Sequence, residues 1–396
     1  MSDQHIRIAA YNVENLFSRP RAMNQSEDVA AEVLRAHARV NELFERKTYT
    51  VAVKKDILKQ LKTLNLLKTH GDASSAATMA LLRKYRGQLL ARPRGDDGDI
   101  DEEDVTVVAD GRASWTGWVD LVKDQIEATA IENTAAVIRE IGADIVGVVE
   151  AEDRITLQRF SETLLLSAAG AQLYPRVMVI DGNDDRGIDV GVLSTDAYPI
   201  DSIRSHVDDG PIGNPIFSRD CPEYWFEFPQ GSALAGQPLV LMVNHLKSKF
   251  GGNDSTSQER RKAQATRVKK IYKGLRDEGI EHVVVLGDFN DTPDSEALKP
   301  LLAQTDLVDF ADVRPFDDGD PDEDRPGTFA NGTKSNKIDY LLLSPSLFER
   351  ATSAQIVRLG VWGGVNGTLF PHLPSITTKN EAGSDHAAVV VDINIG

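Results

Sequence analysis

Three stretches of the 396-residue chain border an apolar run with residues that can move protons or hold phosphate. In VVVLGDFND (283–291) the apolar run opens through Gly287 into Asp288 and Asn290. Two residues apart on an extended chain, both side chains point the same way, so a carboxylate able to take a proton lies beside an amide able to hold a phosphoryl oxygen. In LVLMVNHLKSK (239–249) His245 ends an apolar run, and Lys247 and Lys249 follow as cations for an anionic substrate. SDHAAVVVDI (384–393) sets Asp385 and His386 immediately before a third run.

Other polar residues sit where apolar strands tolerate them badly. In ADIVGVVE (143–150) Glu150 closes a run rich in aliphatics, and in YNVEN Asn12 and Glu14 close the first run of the chain. A carboxylate at the end of a buried strand is costly unless it is paired or metal-bound. Glu150 is therefore a candidate ligand for a hard cation, and oxygen donors of this kind suit Mg²⁺ or Mn²⁺ better than zinc. In KIDYLLLS (337–344) Asp339 lies between Ile338 and Tyr340, where an acid needs a partner such as an imidazole. Taken singly, each feature is also compatible with a turn, a satisfied core histidine or an ordinary strand end.

The elements that must position these residues are apolar, β-branched runs of five to seven residues. They are 6–12, 143–150, 189–194, 238–245, 282–290, 337–344 and 387–393, and such continuous runs predict strands covered on both faces. The helical spacing of 131–143 and 257–278, each leading into a strand, predicts a layered α/β architecture. Residues 20–128 break the alternation, with amphipathic patterns near 26–46, 52–69 and 74–91, then DDGDIDEED (96–104), then Trp115 and Trp118. This stretch reads as a helical insertion, either a lid or substrate-selecting subdomain or a mere elaboration of the scaffold. The acidic runs 96–104 and 316–324 lack the glycine and glutamate spacing of a calcium loop and read as solvated loops.

Composition sets limits. A net charge of −17 opposes a broad basic surface gripping long nucleic acid, although a cation in a cleft can still draw a phosphate there. No run is long and apolar enough for a membrane span, no signal peptide is expected, and Cys221 alone excludes an internal disulfide, which fits a cytoplasmic protein.

The order YNVEN, Glu150, His245, GDFN, KIDY, SDH resembles the signature of the endonuclease/exonuclease/phosphatase superfamily. The resemblance covers 6–19 and roughly 129–396, and it implies one catalytic domain over 1–396 that contains the 20–128 insertion. The implied fold is a four-layered α/β sandwich, two packed mixed β-sheets flanked by helices. It implies a divalent cation, Mg²⁺ or Mn²⁺ with Ca²⁺ also admissible, held through Glu150 with Asn12, Glu14 and Asp385 near it. Asp288 would deprotonate the attacking water, Asn290 orient the phosphate, and His386, held by Asp339, donate to a non-bridging oxygen. His245 matches the second family histidine. Asp189 in DDRGIDVGVLS is expected to be its acidic partner, and Arg186 to reach the substrate phosphate as a fork of donors. The substrate is a phosphate ester, with a nucleic-acid diester (DNA or RNA) ahead of a small-molecule or lipid-head-group diester and a monoester third. A relative that binds without catalysis is the alternative of another class. The basic run 258–270, with Arg260, Arg261, Lys262, Arg267, Lys269 and Lys270, is either a nucleic-acid contact or a solvated helix.

Overall fold

The computed structural model describes residues 4–14, 16, 18–25, 27–125, 127–184, 187–211, 214–248, 255–320 and 325–396, and the chain divides into two compact units, Met1–Phe17 with Ile126–Gly396, and Ser18–Gln125.

The first unit is built on two mixed sheets. One runs in the order Phe316–Asp317, Ala351–Val357, Ala388–Asn394, His5–Asn12, Ile145–Ala151, Asp189–Ser194, Arg176–Ile180. The other runs Ser202–Arg204, Glu223–Glu227, Pro238–His245, His282–Asp288, Asp339–Leu343, Val308–Asp309. All seven predicted strands are present. Their inner faces share one core, in which Ile8, Val149 and Val389 of the first sheet pack with Leu241, Leu286 and Leu341 of the second. Gly147 leaves room for a side chain of the other sheet, since a Cβ there would lie 2.2 Å from Leu286 Cδ1.

The outer faces are covered by helices, which explains why the strands are apolar on both sides. Helices Ala128–Ile141 and Arg154–Leu164 pack Val137, Ile138, Leu157 and Phe160 against Val146 and Val148. Helix Ser255–Asp277 packs Val268 and Tyr272 against Val240, Val283 and Val285. The result is the four-layered α/β sandwich expected from the sequence.

Two parallel pairings decide where the polar strand ends go. His5–Asn12 runs parallel to Ile145–Ala151, with Asn12 opposite Val149, and Pro238–His245 runs parallel to His282–Asp288, with His245 opposite Asp288. Asp339 begins an antiparallel strand opposite Asp288. Parallel neighbours end at the same edge, so residues distant in sequence share one edge in each sheet.

The second unit has its own core, including Val40, Leu43, Ile57, Leu61, Leu82, Trp115 and Val119. Two of the predicted amphipathic patterns are helices, Glu27–Phe44 and Val51–Thr63. The third differs: within 74–91 the chain forms strand Ala80–Arg86, paired antiparallel with Thr116–Leu121, and the short strand Leu90–Ala91, paired with Thr106–Val107. A short apolar run such as Met79–Leu82 fits either period, and pairing with a distant strand decided the outcome. The unit begins and ends in one antiparallel ribbon, Ser18–Pro20 with Lys123–Gln125.

Candidate active site

The strand-end residues of the first unit converge. Asn12 Nδ2 lies 3.3 Å from Asp288 Oδ2 and 3.4 Å from His386 Nε2, linking the first motif of the signature to GDFN and SDH. His386 Nδ1 meets Asp339 Oδ2 at 2.9 Å, the imidazole partner anticipated for that buried acid. His245 Nε2 lies 3.7 Å from Glu150 Oε1 and 3.7 Å from Asp288 Oδ2, which joins the two sheets. Asp385 Oδ1 is 3.7 Å from His386 Nε2. Glu14 closes the web: its backbone N–H donates to Asn12 Oδ1 at 3.0 Å, and its Oε2 accepts from the Asp385 N–H at 3.1 Å.

Local backbone geometry at these positions is unusual. Among the described residues five non-glycines have positive φ, and three of them are Glu14 (φ 49°), Glu150 (φ 67°) and Asn290 (φ 54°). Each such residue costs free energy and persists only where its surroundings over-determine it, a pattern concentrated at functional sites. Glu150 lies in a bulge: Asp189 pairs with Ala151 and Val190 with Val149, so the glutamate has no opposite number in the ladder and is re-aimed.

The electrostatics follow from crowding. Asp288 is pushed well above the usual carboxylate range, first by burial and then by Asp339 and Glu150, against the attraction of His386. Burial alone would lower His386, but the charge and hydrogen bond of Asp339, with Asp385 and Asp288, hold the imidazole well above its ordinary value. Five carboxylates, Glu14, Glu150, Asp288, Asp339 and Asp385, thus meet two imidazoles. Oxygen donors in such excess fit a hard divalent cation. Asp288, Asp339 and His386 offer donor atoms within 4.8 Å of one another. His386 and Asp339 are hydrogen-bonded to each other, however, and Asp288 is held by Asn12 and Asn290, so Glu150, with Asn12, Glu14 and Asp385, is the better candidate ligand set.

Asn290 and Asp189 make contacts other than those expected. Asn290 Nδ2 donates to Asp288 Oδ2 and to Leu246 O, both at 3.2 Å, and its N–H donates to Asp288 Oδ1 at 2.7 Å, so it holds the carboxylate instead of reaching toward phosphate. Asp189 does not pair with His245. Its Oδ1 accepts from the Gly182 N–H at 2.8 Å, because the bulge carries its short side chain toward that loop. Lys247 is fixed through its backbone, which accepts from Arg261 Nη1 at 2.6 Å and donates to Gln264 Oε1 at 2.7 Å. Arg186 and Lys249 lie outside the described residues.

Two supporting residues were not among the expected site residues. Thr328 Oγ1 donates to Asp339 Oδ2 at 2.6 Å, the oxygen that also faces His386, and accepts from the Asp339 N–H at 3.0 Å. Ser384 Oγ donates to Asn12 O at 2.7 Å and accepts from the His386 N–H at 3.0 Å. Ser384 could have been suspected from its place before Asp385, whereas Thr328 comes from a loop that only the tertiary structure brings beside the acid.

Among solved structures the chain is similar to an endonuclease/exonuclease/phosphatase family protein from Bacteroides thetaiotaomicron, at 15% identity and TM-score 0.47, covering 67% of this chain and 86% of that one. It is similar to a mannosyl-6-phosphatase from the same organism (17%, TM-score 0.46, covering 66% and 89%) and to truncated TDP2 from Caenorhabditis elegans (14%, TM-score 0.45, covering 67% and 90%). No curated protein matches. The sequence model described as Endonuclease/Exonuclease/phosphatase family matches residues 95–356, more than half of the chain and the part that contains Glu150, His245, Asp288 and Asp339. With that match, and with the six motifs gathered at one edge of two packed sheets, the chain belongs to the endonuclease/exonuclease/phosphatase family of metal-dependent phosphoesterases.

Proposed function

We propose that the chain hydrolyses phosphodiesters by in-line attack of water, with Mg²⁺ or Mn²⁺ as its cation. The observation that carries this reading is the contact of Asn12 with both Asp288 and His386, which brings a proton acceptor and a proton donor to one amide. When bound through Glu150, with Asn12, Glu14 and Asp385 around it, the cation supplies charge neutralisation at the phosphoryl oxygens. Asp288 takes the proton of the attacking water, and its raised affinity for protons suits it to that task. Asn290 holds the carboxylate of Asp288 in place. His386, cationic and oriented by Asp339, donates to a non-bridging oxygen as charge builds there. His245, near both Glu150 and Asp288, assists the leaving oxygen.

A small diester is favoured over a long nucleic acid by the fate of the basic helix. Arg261 is fully buried and paired with Asp291 at 2.9 Å, and Arg267 is paired with Asp209 at 2.6 Å. These cations serve the fold, and the chain carries −17 overall. The test compares bis(p-nitrophenyl) phosphate, p-nitrophenyl phosphate and plasmid DNA with Mg²⁺ or Mn²⁺, against EDTA controls. Cation-dependent release from the diester with little from the monoester supports the reading. Nicking of plasmid at comparable rates restores nucleic acid as substrate, and inactivity on all three defeats catalysis.

A further inference from the structure

The second unit, Ser18–Gln125, contains a cleft of about 350 Å³, within the range of small-molecule sites. Its lining has an apolar part, Leu82, Leu89, Leu90 and Trp115, and a polar part, His70, Lys84, Gln88 and Arg92. None of these lining residues carries a carboxylate, in a chain with 61 acidic residues against 44 basic ones.

Arg92 is the informative residue. Its Nε donates to Leu67 O at 2.5 Å, its Nη2 to Leu66 O and Thr69 O at 2.9 Å each, and its Nη1 contacts His70 Nε2 at 2.9 Å. Every one of these partners is neutral. Burial lowers the Arg92 pKa, with no carboxylate to offset it, and His70 is lowered by burial and then by Arg92 and Lys84 together. Three arginines of this unit are paired with acids, Arg39 with Asp56 at 2.8 Å, Arg83 with Asp120 at 2.9 Å and Arg112 with Glu45 at 3.0 Å, whereas Arg86 and Arg94 meet neutral partners but, unlike Arg92, do not line the cleft. Holding a partly buried guanidinium in fixed geometry without a counter-charge is unfavourable unless an anion completes it.

We propose that this cleft is a second ligand site, which takes a small organic anion with its acid group against Lys84 and Arg92 and its apolar body against Leu82, Leu89 and Leu90. The acid group is defined by charge, so a carboxylate, sulfonate or phosphate monoanion satisfies it equally. None of the lining residues belongs to the hydrolytic site, and the proposal does not depend on the reaction assigned there.

The probe is anilinonaphthalene sulfonate, titrated into the full chain and followed by dye fluorescence beside its neutral counterpart N-phenylnaphthylamine. Lys84 is exposed and makes no ion pair among the described residues, so Lys84→Glu is expected to keep the melting temperature and the diesterase activity. Saturable binding of the sulfonate that weakens about tenfold or more in Lys84→Glu and with added salt, while the neutral dye is indifferent to the substitution, is the expected result. Gln88→Glu repeats the test from a second position in the polar part of the lining. Absence of saturable sulfonate binding, or equal affinity in both variants and the parent, overturns the proposal.

Discussion

At the scale of single residues, Asp339 shows how a buried carboxylate is made tolerable. Its Oδ2 takes the Thr328 hydroxyl at 2.6 Å and faces His386 Nδ1 at 2.9 Å, so the acid is partnered on both sides and fixes the ring that lies near Asp288. If Asp288 and His386 act as acceptor and donor, Asp288→Asn and His386→Ala should each lower turnover of a diester by about 10²-fold or more. Circular dichroism and melting should stay near those of the parent, and near-normal turnover in both variants would remove the assignment. Asp189 offers a separate test. Burial, then repulsion from Asp181 and Asp184, pushes its carboxyl up to about 7, although the Gly182 N–H and Arg219 pull the other way. The folded chain therefore holds this proton at pH values where the unfolded chain has released it. That contribution is complete below about pH 4 and declines as pH rises through about 7. Asn at this position keeps the acceptor for Gly182 and never ionises, so Asp189→Asn should shrink the drop in melting temperature between about pH 5 and pH 8. An unchanged drop would show that Asp189 does not titrate as described.

Among elements, the parallel pair Pro238–His245 and His282–Asp288 does the positioning, because its register sets His245 beside Asp288. Gly287 makes that register possible. Its φ is 123°, and a Cβ there would fall 2.0 Å from Asn244 O on the neighbouring strand. Gly287→Ala should cost about 3 kcal/mol or more, from strain and from displacement of the strand ends. Chemical denaturation reads the loss directly, and parent-like stability would mean that the strands do not approach in this way. The bulge at Glu150 acts similarly on the other sheet, turning the carboxylate out of the alternation that would otherwise bury it.

For the whole molecule, the division into two units is the main feature. Each has its own apolar core, and the ribbon Ser18–Pro20 with Lys123–Gln125 brings the two ends of the inserted unit side by side. A ribbon of this kind can be replaced by a short turn with little loop-closure cost. Replacement of 18–125 by a short Gly/Ser turn should leave a cooperative folding unit that retains cation-dependent hydrolysis of bis(p-nitrophenyl) phosphate. We propose that the inserted unit selects the substrate, in which case the excision alters the ratio of rates between the small diester and plasmid. An unchanged ratio would reduce the insertion to an elaboration of the scaffold, and a chain that no longer folds would show that the two cores depend on each other.

Strand identity and most candidate site residues were legible because their signals are local. An apolar run that stops at Glu150, His245 or Asp288 records both the burial of a strand and the point where polar side chains take over. What lay beyond the sequence depends on geometry between segments. Asp189 and Asn290 were assigned chemistry by type and spacing, yet a bulge turned one toward Gly182, and the positive φ at the other accompanied its attachment to Asp288. Thr328 had no motif signal and the strand Ala80–Arg86 lay in a stretch patterned like a helix, and each acquired its role from a partner distant along the chain, Asp339 for the first and Thr116–Leu121 for the second. Sequence by itself determined which side chains could do phosphoester chemistry and which runs would carry them. The tertiary structure decided which of them touch, because register, bulges and loop packing act over separations that local patterning does not encode.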